Sequence, residues 1–566
     1  MKSVCIIGAG PAGLAAAKTF LQTGRFDVTV YEKSHRIGGI WALDENSKDG
    51  FLNPQTPTNL SRFTVGFSDL DWNSVDLESA GSVNSERTNG TKSKVPTFPK
   101  AWQVNRYLET YKQRYIPETV INLNHEAVKA IRLPQGWSIT TKDHSTQTVK
   151  ESKFDYLIIA SGFFSTPRAL SKNVPHLPER MNIKSIHSSQ FRNLDDLFEG
   201  QIPKAKTILL IGGGNSSGET GAAIAMQLSN TQWSPDETKK NLYEGCKIIH
   251  VLPRPLYAIP PFNEYEPNSR TYVPLDFKLY DFSKRPLDLP SYGGLQPPEV
   301  RDIVHGALRK MVGSDQSDLG SEALVSLTDG KKGTVYVALS ESYAEFVRSG
   351  LIQAINGRVS AIETDEAGGT NVTISSEKTG MRTIDGIGAI VYATGYTPTT
   401  ALGFLDESVR TALNYDPTSL RLPVLLEQWQ TTNKSVPDLA FVGFYEGPYW
   451  PMIEMQARLT VSRWLDGTTA PSKPFEQSTT LLTLREHMRD RDPGVPQYWF
   501  GDYLGYMEDV AKFLHLARNN SSFSPREGCP SPARYFASPN PDSATIMQEL
   551  YTTWHACTRT GLDSIF

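Results

Sequence analysis

Two glycine turns, each set between a short apolar run and a stretch of small residues, constrain this chain more than any other feature. The first reads Gly8-Ala9-Gly10-Pro11-Ala12-Gly13. Before it lies the apolar run Ser3 to Ile7; after it comes the alanine-rich stretch Leu14 to Leu21, suited to a closely packed helix. Phe26 to Tyr31 then alternates as a strand should, and Glu32 stands at its carboxyl end. Strand, glycine turn, helix, strand and acid within ~30 residues form a dinucleotide-binding unit. Gly8 permits the tight turn, Gly10 lets the backbone approach a pyrophosphate, and Gly13 lets the helix press on the strand. Pro11 and Ala12 open that helix, whose N-terminus carries partial positive charge. Glu32, with Lys33 beside it, accepts from a ribose 2′-hydroxyl and repels a 2′-phosphate, so this site takes FAD or NAD rather than NADP.

A second unit starts with Thr207 to Ile211 and continues through Gly212-Gly213-Gly214-Asn215-Ser216-Ser217-Gly218-Glu219. Gly212, Gly214, Asn215, Ser216 and Ser217 are its expected cradle. Ser217 replaces the third glycine, and Gly218 and Gly221 are the residues that restore close packing of a helix expected over 219–228. The strand Lys247 to Leu252 ends in Pro253-Arg254, with no acid where an NAD site needs one. Arg254 is placed to pair with a 2′-phosphate, which favours NADPH; a solvated surface arginine is the alternative.

These units predict an α/β protein with two Rossmann-like domains, one for FAD and one for NADPH, the FAD domain discontinuous in sequence. The expected division is 1–195 for the first FAD segment and 196–398 for the NADPH domain. An insertion of helix and loop falls at about 255–330, and 399–566 holds the second FAD segment and a C-terminal extension. Runs around Val128, Trp137 and Val149 predict a small meander before the strand that ends at Ser161-Gly162; Val128, Ser161 and Gly162 are expected cofactor contacts. Phe346 to Ile362, Asn371 to Ser375 and Gly388 to Gly395 predict strands returning to the second sheet, and Leu439 to Val442 one returning to the first. Residues 79–95 are polar and predict a surface insertion. The tail from 470 is expected to pack on the first domain.

At 566 residues the chain can enclose a large ligand. Its net charge of −4 gives no broad electropositive surface, which argues against nucleic acid or an acidic membrane as partner. The four cysteines are far apart and form no CxxC pair, which argues against a disulfide framework, a metal site and a dithiol redox centre. With no secretory signal and no long apolar run, a soluble, cytoplasmic protein is expected.

Further segments carry a resemblance. Gly38-Gly39-Ile40-Trp41, Thr58-Asn59-Leu60-Ser61 with Phe67-Ser68-Asp69, His187 to Arg192, Ala393-Thr394-Gly395-Tyr396, Asp438 to Gly443 and Glu454-Met455-Gln456-Ala457-Arg458 occur in this order. Their order and spacing resemble the flavin-containing monooxygenases, from residue 3 to about 460. The match departs at Met181 and Ile183, where the family fingerprint has Phe and Gly, and this leaves subfamily and substrate open. Related Baeyer–Villiger enzymes usually place Trp where Phe191 stands, so Phe191 tilts the reading toward oxidation at nitrogen or sulfur.

The resemblance implies that NADPH reduces FAD, that oxygen adds at flavin C4a, and that a small organic or natural-product substrate takes the distal oxygen. It assigns Gly39, Ile40, Trp41, Thr394, Gly395, Tyr396, Gln456 and Arg458 to the cofactors. Asn59 is the first choice for a residue acting at the flavin, a helix cap being its plainer role. His187 orients the link between domains or is structural. Tyr449 and Trp450 are candidates for a substrate pocket, with core packing as the alternative. The rival functions are Baeyer–Villiger oxygenation, a flavin reductase or oxidase, and a non-catalytic binding protein.

Overall fold

Lys2–Ile7 and Phe26–Tyr31 pair in parallel, from Lys2 against Phe26 to Ile7 against Tyr31. Val4, Cys5 and Ile6 are fully buried, as a strand covered on both faces requires. In the computed structural model, residues 1–566 are described except 49, 78–94, 165, 173, 179–180, 267–268, 270, 287, 326–332, 378, 468, 537–539 and 559–566. The expected polar insertion at 79–95 lies outside the described residues, apart from Val95.

The first sheet is wholly parallel, in the order Leu439–Phe441, Tyr156–Ile159, Lys2–Ile7, Phe26–Tyr31, Ile121–Asn122. Helix Pro11–Gln22 packs against helix Trp450–Asp466, and its buried Ala15, Ala16 and Ala17 allow that close approach. The second sheet is also parallel, in the order Ile352–Asn356, Lys247–Leu252, Thr207–Ile211, Ile387–Tyr392, Lys184–His187. Its glycine turn feeds helix Asn215–Gln232, which begins four residues before the expected start.

Two antiparallel meanders flank these sheets. The expected one consists of His125–Arg132, Trp137–Asp143 and Val149–Phe154. A second, Arg358–Thr364 with Thr370–Ser376 and Gly380–Ile384, corrects the expectation that Asn371 to Ser375 returns to the second sheet. The reason is periodicity: Thr370, Val372, Ile374 and Ser376 are buried while the residues between are not, a one-faced pattern that suits an antiparallel edge. Phe346 lies in the short helix Tyr343–Arg348 and not in a strand.

The 255–330 region holds helices Leu275–Leu279 and Pro298–Val312 and short paired strands. The tail forms helices Ser478–Arg489, Tyr503–Phe513 and Pro541–Thr558. It grips more than the first domain. Arg285 pairs with Asp502 at 2.7 Å, the Gly294 N–H donates to the Trp499 carbonyl at 2.9 Å, and Arg62 pairs with Glu549 at 2.6 Å.

One buried carboxylate fastens the insertion to the first domain. Asp276 is fully buried at the first turn of helix Leu275–Leu279. It accepts from Ser61 Oγ at 2.6 Å, Thr64 Oγ1 at 2.8 Å and the Ser61 N–H at 3.2 Å. Asp276→Ala leaves those donors unpaired and is expected to cost about 3 kcal/mol, read as a fall in the urea midpoint. Asp276→Asn keeps one acceptor oxygen and should lose less.

Candidate active site

Each glycine turn is pressed onto a neighbouring strand. Gly8 sits at φ +105°, and a Cβ there would lie 2.6 Å from the Ala160 carbonyl oxygen. Gly212 repeats the contact in the second sheet, 2.4 Å from the Ala393 carbonyl oxygen. A Cβ on Gly13 would lie 1.8 Å from the Gly8 carbonyl oxygen, so helix and turn touch there. In the second unit that closeness comes from Gly218, against Ala338, and Gly221, against Leu210. Ser217 is buried and donates to the Gly214 carbonyl at 2.7 Å, locking the turn.

Both turns open into one cavity of about 2580 Å³ at the carboxyl ends of the sheets. A pocket for one small ligand runs to about 1,000 Å³, so this volume suits two dinucleotides. Gly8, Gly10, Pro11, Ala12, Glu32, Lys33, Gly39, Ile40, Trp41, Asn59, Val128, Ser161 and Gly162 line it from the first domain. Gly212, Gly214, Asn215, Ser216, Arg254, Thr394, Gly395 and Tyr396 line it from the second. Tyr449 and Trp450 also reach its wall. Gly13 and Ser217 lie behind it, as packing residues.

The walls fit FAD and NADPH. The N-termini of helices Pro11–Gln22 and Asn215–Gln232 face the cavity with no acidic residue in the first turn and no side-chain cap, which leaves their N–H groups for a pyrophosphate. Ser161 Oγ and Thr394 Oγ1 are buried without a protein partner at equivalent places, each following the alanine on which a glycine turn rests. Glu32 accepts the Ala9 N–H at 2.8 Å and the Ser34 N–H at 2.8 Å, so it shapes the turn and still has lone pairs facing the cavity.

Gln456 and Arg458 are placed elsewhere, which corrects their assignment to the cofactor. Gln456 is fully buried; its Oε1 accepts the Gly443 N–H at 2.8 Å and its Nε2 donates to the Trp429 carbonyl at 2.7 Å. Arg458 is spent on Glu454, Ser68 Oγ and the Tyr535 carbonyl. With the Lys18–Asp69 pair, Glu454 and Arg458 form a buried, charge-balanced cluster. The helical spacing that puts these residues near the first sheet turns them into its core. His187 is likewise structural: Nδ1 meets Ser189 Oγ at 2.8 Å, Nε2 lies 3.2 Å from the Gly395 carbonyl, and burial lowers its pKa.

One acid of the cavity wall lies in the second glycine motif but is not among its expected cradle residues. Glu219 accepts from Asn215 Nδ2 at 3.3 Å, while Asn215 Oδ1 takes the Leu339 N–H at 2.7 Å and so cannot turn. Asn59, from the first domain, lines the same cavity and favours the charged form of this carboxyl. Burial pushes that carboxyl up to about 7, against the pull of both amides. The acid was visible in the second glycine motif, but its partner is distant in sequence.

A cationic group lies at the other end. Arg254 stacks 4.3 Å above Tyr336, and Arg168, Arg358 and Arg491 line the same cavity. Burial lowers the pKa of Arg358, and the charges of Arg491 and Arg254 lower it further. Arg168 is lowered by burial and by Arg491. Guanidinium groups that oppose one another in this way are relieved together by a dianion. Arg358 follows strand Ile352–Asn356, beside the strand that leads to Arg254, so a strand-end argument finds it; Arg491 comes from the tail with no local signal.

The cysteines take no part in the wall. Cys5 and Cys529 are fully buried, Cys246 nearly so, Cys557 partly, and none lines the cavity. Among the described residues no cluster of three or more His, Cys, Asp or Glu could hold a metal, and no helix is long and apolar enough to cross a membrane.

Residues 2–264 match the family model described as pyridine nucleotide-disulphide oxidoreductase. The chain is 29% identical over 234 residues to a thiol-specific monooxygenase of Saccharomyces cerevisiae, covering 40% of this chain and 47% of that one. It is 24% identical over 538 residues to flavin-containing monooxygenase 3 of Canis lupus familiaris, covering 92% and 84%. The S-allyl-L-cysteine S-oxygenase of Allium sativum shares the fold, with a TM-score of 0.52 at 15% identity, over 100% of this chain and 95% of that one. With two glycine turns opening on one cavity and no cysteine in its wall, the chain is similar to flavoprotein monooxygenases over most of its length, and the cavity suits FAD and NADPH.

Proposed function

We propose that the protein transfers one oxygen atom of O₂ to a nitrogen or sulfur of a small organic or natural-product substrate. The overall balance is substrate, O₂, NADPH and a proton giving the N- or S-oxide, NADP⁺ and water. The observation that carries this reading is the single cavity, lined by both glycine turns and by Asn59 of one domain and Glu219 of the other. Similarity to the yeast thiol-specific monooxygenase supports sulfur or nitrogen as the acceptor, as does Phe191, buried in the core of the second sheet. The buried or half-buried cysteines, none in a disulfide, suit a reducing compartment.

When bound, FAD and NADPH supply the hydride and the oxygen activation; the chain binds, orients and manages protons. The first glycine turn, Ser161 and Glu32 hold FAD, and the second turn, Thr394 and the four arginines hold NADPH. Asn59 is the amide placed to touch the reacting region. Glu219 sets which end of that amide faces the cavity. Ionised, the carboxylate only accepts, so Asn59 turns its NH₂ toward Glu219 and offers its oxygen to the cavity. Protonated, Glu219 donates to Asn59 Oδ1 while its carbonyl oxygen keeps Asn215, and the Asn59 NH₂ faces inward. Tyr396 and Tyr498 are the titratable groups that feel the Glu219 charge, and burial holds both phenols neutral.

Purified protein given NADPH, oxygen and in turn an amine, a sulfide and a ketone should yield the N-oxide or sulfoxide; an ester from the ketone as sole product overturns the heteroatom reading. Binding of NADP⁺ to the oxidised flavoprotein should show an inflection near pH 7 that Glu219→Gln lacks. The carboxyl pKa is raised in the folded state, so its stabilising contribution is complete below the ordinary value of 4.5 and is lost as pH rises through about 7. Melting temperatures across that range should therefore fall less for Glu219→Gln. Arg358→Ala should raise the KM for NADPH about 10- to 100-fold and leave that for NADH nearly unchanged, as measured by flavin reduction.

A further inference from the structure

Large apolar side chains that stay exposed in a folded chain mark a surface with a purpose when they gather on one wall. Leu279, Leu289, Tyr292, Leu295 and Ile303 are 39%, 41%, 48%, 40% and 71% exposed. All five lie within 25 residues of the insertion, and all line the cavity described above. Among the described residues Lys284 is the only charged side chain that residues 275–308 give to that wall.

The wall starts at the reacting region. Asp276, buried behind that wall, accepts from Ser61 and Thr64, and Ser61 lies two residues beyond Asn59. From there Tyr280 meets Tyr449, with ring centroids 5.4 Å apart, and Tyr449 stacks on Tyr503 of the tail at 4.6 Å. Tyr449 is 3% exposed, and its hydroxyl has no protein partner. Farther out, Tyr292 is held by the tail, its carbonyl accepting from Tyr506 OH at 2.6 Å. The insertion and the tail thus give the cavity that holds Asn59 a largely apolar, partly exposed wall, an apolar channel.

We propose that this channel is a binding site for the body of an extended, uncharged apolar substrate, whose nitrogen or sulfur leads inward to Asn59. The inference rests on the oxygenase reading and deepens it by naming the substrate class. A small, fully polar molecule would leave the wall wet and gain nothing from it, whereas an alkyl or polycyclic body removes apolar area from both partners. The free Tyr449 hydroxyl gives such a body one polar contact at the inner end.

The test is calorimetric titration of the oxidised, NADP⁺-bound holoenzyme with methyl alkyl sulfides of increasing chain length, butyl to decyl. Affinity should rise about two- to fourfold per methylene, with a heat-capacity change that grows more negative along the series. Ile303→Ser and Leu279→Ser, at exposed positions where the fold survives, should flatten the longer half of the series. Ile202→Ser, at a position 63% exposed and away from the cavity, should not. Affinity independent of chain length in the native protein overturns the proposal, as does an unchanged slope in both channel variants. Length-dependent binding without sulfoxide would overturn the oxygenase reading and leave the channel standing.

Discussion

The site depends on a contact made twice, a glycine turn resting on the carbonyl of an alanine in the next strand. Gly8 on Ala160 and Gly212 on Ala393 bring backbone within a distance that any side chain would open. Each contact aims a helix N-terminus at the same space and leaves a hydroxyl, Ser161 or Thr394, beside it. The two sheets therefore present matched cradles to one cavity. They differ just past the second strand of each unit: Glu32 follows it directly in the first, and Arg254 follows Pro253 in the second, an exchange of charge at matching places.

Between the cradles the chemistry is a matter of hydrogen-bond direction. Asn215 is pinned by the Leu339 N–H, so its NH₂ must face Glu219, and Asn59 lines the same cavity. A buried acid with its pKa near neutrality is costly to the fold and useful to a proton-dependent reaction. The Arg421–Glu446 pair, whose Nε–Oε2 distance is 2.8 Å, gives the same wall a fixed charge pair. Glu446 is matched by a permanent cation, whereas Glu219 is met by amides.

Much of this was legible in the sequence because the glycine fingerprint is local: turn, helix and strand-end residue lie within one short stretch. Two parallel sheets and the cavity-lining turns came from it, and the first meander came from the short runs around Val128, Trp137 and Val149. Periodicity misled at Asn371 to Ser375, where a one-faced pattern belonged to a separate meander. The resemblance misled at Gln456 and Arg458, whose side chains are taken up by the core. Partners distant in sequence were invisible: nothing near Glu219 points to Asn59, and nothing near Arg254 points to Arg491. Such pairs are made by domain docking, which leaves no spacing to read.

The walls of the cavity are drawn from residue 7 through residue 503, and the tail supplies both a cation of the phosphate end and the outer face of the apolar end. During synthesis the first glycine unit can fold early, since its first two strands and helix are complete by residue 31. The finished enclosure cannot form until the tail has left the ribosome. A nascent chain thus holds an open cradle without a closed reaction chamber, and a proteolytic cut between Arg491 and Tyr503 would return the mature protein to that unsealed state.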